Sequence, residues 1–318
     1  MREFSIDRTI SPIFMESRPL WIAGPCSVES PEQIAESALV LKQYGANIIR
    51  GGIWKPRTHP GCFEGVGERG LDWLKEASQK AMLPCCTEVA NARHTELALK
   101  KGIDLLWIGA RTTSNPFLVS EIAAVLKGCN TPILVKNPLN PDIELWCGAI
   151  ERFLNIGMTH VGAINRGFFC YEKSIYRHPP IWQIPVEIKR RYPDMAVICD
   201  PSHISGDRSL VEHLSQEAIA LGFDGLMIEV HPNPEKALSD ATQQISPEQF
   251  KELKQNITIR KDGGFSQSGL QAIEQIRESI DRVDQTLVET LAHRMELVEM
   301  IGKLKVKENI SVLQADRW

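Results

Sequence analysis

The stretch MAVICDPSHISGDR (195–208) shows the pattern that decides the fold: a short apolar run ends in polar and charged residues. Seven further runs along the chain are similarly short, rich in Val, Ile and Leu, and apolar at successive positions. Parallel strands buried on both faces have this composition. In chain order the runs are PLWIAG (19–24), ANIIRG (46–51), MLPCCTE (82–88), DLLWIGA (104–110), PILVK (132–136), HVGAIN (160–165), MAVICD (195–200) and GLMIEV (225–230).

Helix-like segments separate these runs. In SPEQIAESALVLKQYG (30–45), for example, Ser30 can cap a helix, Pro31 fits its first turn and Gly45 can end it. Eight strands alternating with helices predict an α/β protein with a TIM (β/α)8 barrel, although an open doubly wound sheet has the same alternation. Polar residues at the strand ends favour the barrel, whose enzymes place their chemistry at that face. They are Cys26, Arg50, Lys55, Glu88, Arg111, Lys136, Arg166, His203 and Glu229.

Bulk composition narrows the class of protein. The 318 residues include 43% hydrophobic and 24% charged residues and carry a net charge of −4, which argues against nucleic-acid and anionic-membrane partners. No apolar run approaches the roughly 20 residues of a membrane span. The N-terminus lacks the features of a signal peptide, and eight scattered Cys without paired spacing are typical of reduced thiols. The sequence therefore predicts a cytoplasmic protein.

The composition changes after the last strand. ITIRKDGGFSQSG (257–269) contains a Gly pair and polar residues, as linkers do. Beyond it, apolar residues recur at three- and four-residue steps, which predicts one amphipathic helix to about residue 307. The expected organisation is a barrel over 1–256, a linker over 257–269 and a partial helical domain over 270–318. Because so long a helix cannot bury its own apolar stripe, it needs the barrel, a second chain or both, and we expect a homodimer or homotetramer.

Several motifs occur in a specific order. They are AGPCSVES (23–30), RGGIWKPRTHPGCFEG (50–65), TEV (87–89), GARTTSNP (109–116), VKN (135–137), NRG (165–167), DPSHISGDR (200–208) and IEVHPNPEKALSDATQQI (228–245). Together, over residues 18–250, they resemble the 3-deoxy-D-arabino-heptulosonate 7-phosphate (DAHP) synthase family in its shorter barrel form. The resemblance implies condensation of phosphoenolpyruvate with erythrose 4-phosphate to give DAHP and phosphate, the first step of the shikimate pathway.

The same resemblance implies a divalent cation, either Mn, Co, Fe or Zn. The family's metal ligands match Cys26 in GPCS, His203 in DPSH, Glu229 in IEVH and Asp240 in LSDA. Mixed sulfur, nitrogen and oxygen donors accept several first-row metals without strong selection. A coordination position left open would let the ion act as a Lewis acid on the aldehyde.

Substrate contacts are also implied by the resemblance. Lys55 is the expected proton carrier, Glu88 is expected to orient the attacking water, and His203 completes the catalytic set. The residues expected at phosphoenolpyruvate are Arg50, Lys55, Ala110, Arg111, Lys136 and Arg166. The residues expected at erythrose 4-phosphate are Lys55, Pro56, Arg57 and Thr58. Arg and Lys suit both esters because their donors match phosphate oxygens.

Some residues depart from the family pattern, and one segment matches the motif of another class of protein. Lys136-Asn137-Pro138 stands where many members show Lys-Arg-Gly, which removes one cationic contact, and His59 and Cys62 are also uncommon. GVGERG (65–70) matches a dinucleotide fingerprint, but it does not directly follow a strand. We interpret it as the lead into a helix.

The run IRESIDRVDQTLVETLAHRMELVEMIGKLKVKENISVLQADRW (276–318) resembles the first helix and following turn of all-helical chorismate mutases. The residues that would bind chorismate or prephenate match Arg277, Arg294 and Lys305. Since that family's second and third helices are not in this sequence, the expectation is a truncated form of a longer bifunctional protein, without mutase activity in this chain. In the full protein, chorismate or prephenate is the expected feedback effector.

Two alternatives remain. The related 3-deoxy-octulosonate 8-phosphate synthases use arabinose 5-phosphate, but they typically carry Ala-Asn-Arg where this chain has Lys55-Pro56-Arg57. Alternatively, the chain is a regulatory or dimerisation module with an inert barrel.

Overall fold

The structure is a computed structural model, and it describes residues 18–56, 61–259 and 266–311. The chain divides into two compact units, Met1–Ile259 and Arg260–Trp318. The first unit carries the strands, and the second consists largely of one helix.

Eight parallel strands form a closed barrel in the order in which they occur along the chain. Closure occurs between β8 and β1, where Leu20 is opposite Gly225 and Gly24 is opposite Glu229. This confirms the barrel and rules out the open sheet. The strands are β1 Leu20–Gly24, β2 Ile48–Arg50, β3 Cys85–Val89, β4 Leu105–Ile108, β5 Ile133–Lys136, β6 Val161–Asn165, β7 Val197–Cys199 and β8 Gly225–Glu229.

Helices connect successive strands, and their ends follow local sequence signals. In α1, Ser30 accepts a hydrogen bond from the backbone N–H of Gln33 and Pro31 occupies the first turn, as predicted. Gly45, just past its end, has φ +79°. The helices of this unit are α1 Pro31–Gln43, α2 Arg69–Ala81, α3 Ala92–Lys100, α4 Ala110–Thr113, α5 Pro116–Leu126, α6 Ile143–Asn155, α7 Gln183–Arg191, α8 Pro201–Ser205, α9 Val211–Ala220 and α10 Pro247–Asn256.

Two apolar clusters hold the barrel together. The inner cluster fills the barrel with side chains from all eight strands, among them Trp107 near the carboxyl ends. The outer cluster packs the other faces of the strands against the helices. Because both faces of each strand are buried, the strands have continuous apolar runs instead of an alternating pattern.

Some predicted strands were too long. The run 82–88 begins as a strand only at Cys85, because α2 continues to Ala81 and Met82 ends it in the left-handed conformation with φ 51°. The run 195–200 contracts to Val197–Cys199, since Asp200 caps α8 through the N–H of His203. Apolar composition continues through the turns at the strand ends, so it does not locate them.

The second unit contains α11, Gln267–Lys307, which has 41 residues. Ser266 caps it by accepting a hydrogen bond from the N–H of Gly269. The predicted end near residue 307 is confirmed. Its apolar stripe is exposed, with Leu287 and Leu291 as examples. Among the helices described, none is long and apolar enough to cross a membrane.

Candidate active site

A cavity of about 400 Å³ opens at the carboxyl ends of the strands. Its wall contains most of the barrel residues predicted to carry chemistry, so polar side chains from several strand ends line one cavity. Those in the wall are Lys55, Pro56, Glu88, Ala110, Arg111, Lys136, Arg166, His203 and Asp240. Three more predicted residues, Cys26, Arg50 and Glu229, are buried beside these side chains.

Lys136, at the end of β5, forms a buried ion pair across the barrel. Its Nζ lies 2.7 Å from Asp200 Oδ2, and the two side chains are 4% and 0% exposed. Although burial raises the pKa of the Asp200 carboxyl, the neighbouring His203 and Lys136 hold that pKa well below its usual range. Asp200 is therefore ionised, and it fixes Lys136 at the cavity wall.

Arg166 follows β6 and is held by its backbone. Asn137 Oδ1 accepts a hydrogen bond from the Arg166 N–H at 2.7 Å, and Asn137 Nδ2 donates to the Gly167 carbonyl at 2.8 Å. Asn137 thus replaces a possible cationic contact with one that positions Arg166. The Arg166 Nη1 atom is buried and has no hydrogen-bond partner among the described residues. Burial lowers the pKa of Arg166 to about 10, so the side chain is still cationic at neutral pH.

Glu88 is fixed on the opposite wall. Trp107 Nε1 donates a hydrogen bond to Glu88 Oε2 at 2.9 Å. Gly109 gives this carboxylate its space, because a Cβ there would lie 2.3 Å from Glu88 Oε1. The following residues begin α4, which carries Arg111 into the cavity.

Cys26 and Asp240 form one pair of candidate metal donors. The Cys26 Sγ atom donates to Asp240 Oδ2 at 3.2 Å and accepts from Lys55 Nζ at 2.9 Å. Burial raises the pKa of the Cys26 thiol and the charge of Glu229 raises it further, whereas Lys55 opposes both. Burial lowers the pKa of Lys55, but the neighbouring acidic groups, which are Cys26 when ionised, Glu229 and Glu88, more than offset this, so Lys55 is protonated.

His203 and Glu229 form the second pair. The His203 Nδ1 atom lies 2.8 Å from Asp200 Oδ2, and Nε2 lies 3.6 Å from Glu229 Oε1. Burial lowers the pKa of His203, which favours the neutral ring. With its Nδ1 proton held by Asp200, the ring presents the Nε2 lone pair towards Glu229, as metal-binding histidines backed by a carboxylate do.

The Cys26–Asp240 and His203–Glu229 pairs do not form a complete coordination sphere in this arrangement. Across residues 18–56, 61–259 and 266–311, no three Cys, His, Asp or Glu side chains lie close enough together to hold an ion as they stand. The chemistry of the donors nevertheless fits a divalent ion, since sulfur, imidazole nitrogen and two carboxylates are present and the imidazole tautomer is set. Arg50 Nη2, 3.1 Å from Glu229 Oε1, partly balances the buried charge.

The loop carrying Asp240 is fastened to the loop carrying Cys26. Gln244 Oε1 accepts the backbone N–H of Cys26 at 2.9 Å, and the hydroxyls of Ser27 and Ser239 lie 2.6 Å apart. Asp240 itself has φ 45°, a left-handed conformation that Asp tolerates better than most residues but that still requires support from its surroundings. These contacts keep the thiol and the carboxylate together.

Some predicted residues lie elsewhere. Arg57 and Thr58, expected at the aldose phosphate, fall outside the described residues, as does His59. Arg277, Arg294 and Lys305 lie on α11 in the second unit. Arg277 Nη1 is 3.4 Å from Glu274 Oε2, and both side chains are largely exposed.

Sequence reasoning missed Arg177 and His178, which also line the cavity. Burial and the charges of Arg166 and Arg177 together lower the pKa of His178 to about 3, so the ring is neutral. Both residues follow an exposed loop after β6, and the run YRHPP (176–180) has no distinctive pattern. Gln243 and Gln244 were missed as well, because neutral amides in a loop give no chemical signal.

Comparison with known proteins is consistent with this geometry. Residues 13–262 match the family model described as DAHP synthetase I family, and residues 276–318 match chorismate mutase type II. A phospho-2-dehydro-3-deoxyheptonate aldolase of Thermotoga maritima is 39% identical over 236 residues, which are 74% of this chain and 68% of that protein.

Two further proteins are similar to this chain, one compared by structure and one by sequence. A crystal structure of the phospho-2-dehydro-3-deoxyheptonate aldolase (DAHP synthase) of Thermotoga maritima aligns with a TM-score of 0.68 at 39% identity, covering 74% of this chain and 67% of that chain. A 2-dehydro-3-deoxyphosphooctonate aldolase of Desulfotalea psychrophila is 29% identical over 255 residues, 74% of this chain and 86% of that protein.

Proposed function

The chain belongs to the DAHP synthetase I family, a family of transferases, and on that premise we propose that its barrel condenses phosphoenolpyruvate with erythrose 4-phosphate. The products would be DAHP and inorganic phosphate, at the start of aromatic amino acid synthesis. The observation that carries the proposal is the cavity in which Arg111, Lys136 and Arg166 meet Glu88 and Lys55 beside two pairs of metal-type donors.

The three cations support the binding of phosphoenolpyruvate. Arg166 has an unpaired, buried guanidinium nitrogen, and such an atom is costly unless an anion satisfies it. Lys136 is held in place by Asp200 at 2.7 Å. Two phosphorylated substrates repel each other, and fixed cations offset that repulsion without reorganising during the reaction.

Lys55 and Glu88 are suited to the chemical steps. In the proposed reaction, C3 of phosphoenolpyruvate forms a bond with the aldehyde carbon, whose oxygen takes up a proton. Water adds at C2, and phosphate leaves by cleavage of the C–O bond. Lys55 is protonated and lines the cavity, so it can deliver the proton. Glu88, held by Trp107, can orient the water and accept its proton.

We also propose that Cys26, His203, Glu229 and Asp240 hold a divalent cation. A bound ion of this kind would supply Lewis acidity towards the aldehyde. Asp200 fixes the imidazole, Arg50 restrains Glu229, and Gln244 restrains the Cys26 backbone, so the chain already orders the side chains that would surround the ion.

Release of inorganic phosphate from the two substrates tests the proposal. We expect release that depends on both phosphoenolpyruvate and erythrose 4-phosphate, is abolished by EDTA and returns when Mn²⁺ or Co²⁺ is added back. Arg166→Met should reduce the rate by roughly 10²–10³-fold, as removal of one fixed electrostatic contact does. Phosphate release that is unaffected by EDTA would contradict the metal requirement, and absence of any reaction would point to an inert barrel.

Arabinose 5-phosphate is the competing aldose, in view of the similarity to the phosphooctonate aldolase of Desulfotalea psychrophila. The run Pro56-Arg57-Thr58 favours the four-carbon sugar. Parallel assays with both aldoses decide between them, and a higher kcat/KM for arabinose 5-phosphate would overturn our choice of substrate.

For the helical unit we propose regulation by chorismate or prephenate, because residues 276–318 match the chorismate mutase type II model. Arg277, Arg294 and Lys305 are the proposed contacts on α11. Prephenate should slow phosphate release by the wild-type chain more than by the variant Arg294→Ala with Lys305→Ala. Equal inhibition of both proteins would contradict this role.

A further inference from the structure

Gln243 links two carboxylates of the barrel mouth, because it contacts Glu229 directly and Asp240 through Arg177. It is the last residue of the 3₁₀ turn Ala241–Gln243 and is fully buried. Its Nε2 donates a hydrogen bond to Glu229 Oε2 at 2.7 Å. Its Oε1 accepts a hydrogen bond from Arg177 Nη1 at 3.1 Å. Both ends of the buried amide are therefore used.

The chemistry at each end requires an amide at this position. A carboxylate such as Glu229 only accepts hydrogen bonds, and a guanidinium such as Arg177 only donates them. Glutamine presents one donor group and one acceptor group, so it satisfies both partners in a single orientation. A Glu would repel Glu229, and an apolar residue would leave a buried carboxylate oxygen unpaired.

Arg177 extends the connection to the second carboxylate. Its Nη1 also lies 3.3 Å from Asp240 Oδ1. The backbone N–H of Arg177 donates to the Ser205 carbonyl at 3.0 Å, and Gly206 leaves room for the chain, since a Cβ there would be 2.7 Å from Arg177 Cβ. The guanidinium therefore projects from a backbone fixed against α8.

The resulting series runs from Glu229 through Gln243 and Arg177 to Asp240. It joins a member of the His203–Glu229 pair to a member of the Cys26–Asp240 pair. Gln243 also engages the Glu229 oxygen that Arg50 does not, because Arg50 Nη2 bonds Oε1 and Gln243 bonds Oε2. With one donor on each oxygen, rotation of the carboxylate plane is restrained.

We propose that Gln243 is a positioning residue that, with Arg177, holds Glu229 and Asp240 at the spacing needed by a divalent cation. The inference rests on the metal site of the proposed function. Gln243 does not ligate the ion; it orients a ligand. Hydrogen-bond partners of this kind order the ligand side chains before the ion binds, so less conformational freedom is lost on binding.

A residue with a purely structural role would hold the loop that carries Asp240 without contacting a metal-donor carboxylate. Arg208 has that role and makes a matched control, because its Nη2 donates to the Ala241 carbonyl at 2.8 Å and its Nη1 lies 2.6 Å from Glu235 Oε1. It fastens the same loop through backbone and surface contacts with Thr242, Ala241 and Glu235, which are not metal-donor residues. Arg208→Met thus loosens the loop without touching Glu229 or Asp240.

Mn²⁺ binding to the metal-free chain, measured by isothermal titration calorimetry, tests the inference without using activity. Gln243→Leu should raise the Kd for Mn²⁺ by roughly 10–100-fold, the usual effect of removing such a partner. Arg177→Met should raise it less, because Gln243 still bonds Glu229. Arg208→Met should leave it unchanged. In the double variant of Gln243 and Arg177, the loss should be smaller than the sum of the two single losses, because the two act through one series of contacts.

The outcomes are distinguishable. A wild-type chain that takes up no Mn²⁺ overturns the proposed metal site and the inference with it. If the wild type binds Mn²⁺ and Gln243→Leu binds it with an unchanged Kd, only the inference is overturned. Equal losses in Gln243→Leu and Arg208→Met, or strictly additive losses in the double variant, also overturn it. If Gln243→Leu does not fold, Arg177→Met against Arg208→Met makes the same comparison with more exposed side chains.

Discussion

The ion pairs at the barrel mouth and those along α11 differ in burial and in distance along the chain. Lys136 and Asp200 are 64 residues apart, 2.7 Å from each other and almost fully buried. Arg277 and Glu274 are three residues apart, 3.4 Å from each other, and 69% and 66% exposed. The first pair exists only because the barrel forms, whereas the second follows from helix geometry.

This difference indicates which charged pairs contribute to the candidate active site. Burying two charges has a desolvation cost that their attraction offsets only in good geometry, so a fold rarely retains them for stability alone. An exposed pair is screened by water and contributes little. The buried pairs of the mouth are therefore the ones whose removal should change both folding and chemistry.

The largest expected effect is that of Lys136→Met. We expect the free energy of unfolding to fall by about 3 kcal/mol, the lower end for a broken buried pair, because His203 still contacts Asp200. Urea denaturation followed by circular dichroism measures the change. Lys136→Met combined with Asp200→Asn is the control and should recover part of the loss. A single variant as stable as the wild type would show that burial of this pair has no energetic consequence.

A smaller effect is expected from His178, whose pKa is about 3 in the folded barrel against an ordinary value of 6.5. Because the folded state resists protonation, the unfolded chain binds more protons between these values, and stability falls as the pH drops from about 6.5 towards 3. His178→Gln should lose less stability than the wild type between pH 7 and pH 5. Thermal melts at several pH values measure this.

His293 on α11 supplies the matched control for that experiment. Its ring is 70% exposed and lies 3.3 Å from Glu296. His293→Gln makes the same replacement at an exposed position outside the barrel. If His178→Gln and His293→Gln show the same pH slope, burial among the cavity cations is not what holds His178 neutral.

The smallest expected effect is that of Arg277→Ala on α11. Since the pair with Glu274 is exposed on both sides, its loss should produce no resolvable shift in thermal unfolding. Glu274→Ala should behave in the same way. A shift as large as that of Lys136→Met would remove the contrast between the two regions.

Much of the fold could be predicted because its signals are local. The eight apolar runs each became a strand, and the caps of α1 were readable from Ser30 and Pro31. The strand ends were not readable, since burial on both faces extends the apolar composition into the turns, as at Met82.

The candidate site could be predicted in part. Residues with charged or sulfur-containing side chains at strand ends, such as Lys136 and His203, were found because their chemistry is distinctive. Gln243 and Arg177 were not, because their roles depend on contacts between loops 66 residues apart in the chain. Asn137, which the sequence marked as a departure, proved to position the Arg166 backbone.

Titration of metal-free protein with Co²⁺ tests whether Cys26 binds a metal at the barrel mouth, by following the absorption band that a thiolate gives when it binds this ion. We expect the wild-type chain to develop the band up to one Co²⁺ per chain and Cys26→Ser not to develop it. A wild type that takes up no Co²⁺, or a Cys26→Ser variant with an unchanged band, would contradict it.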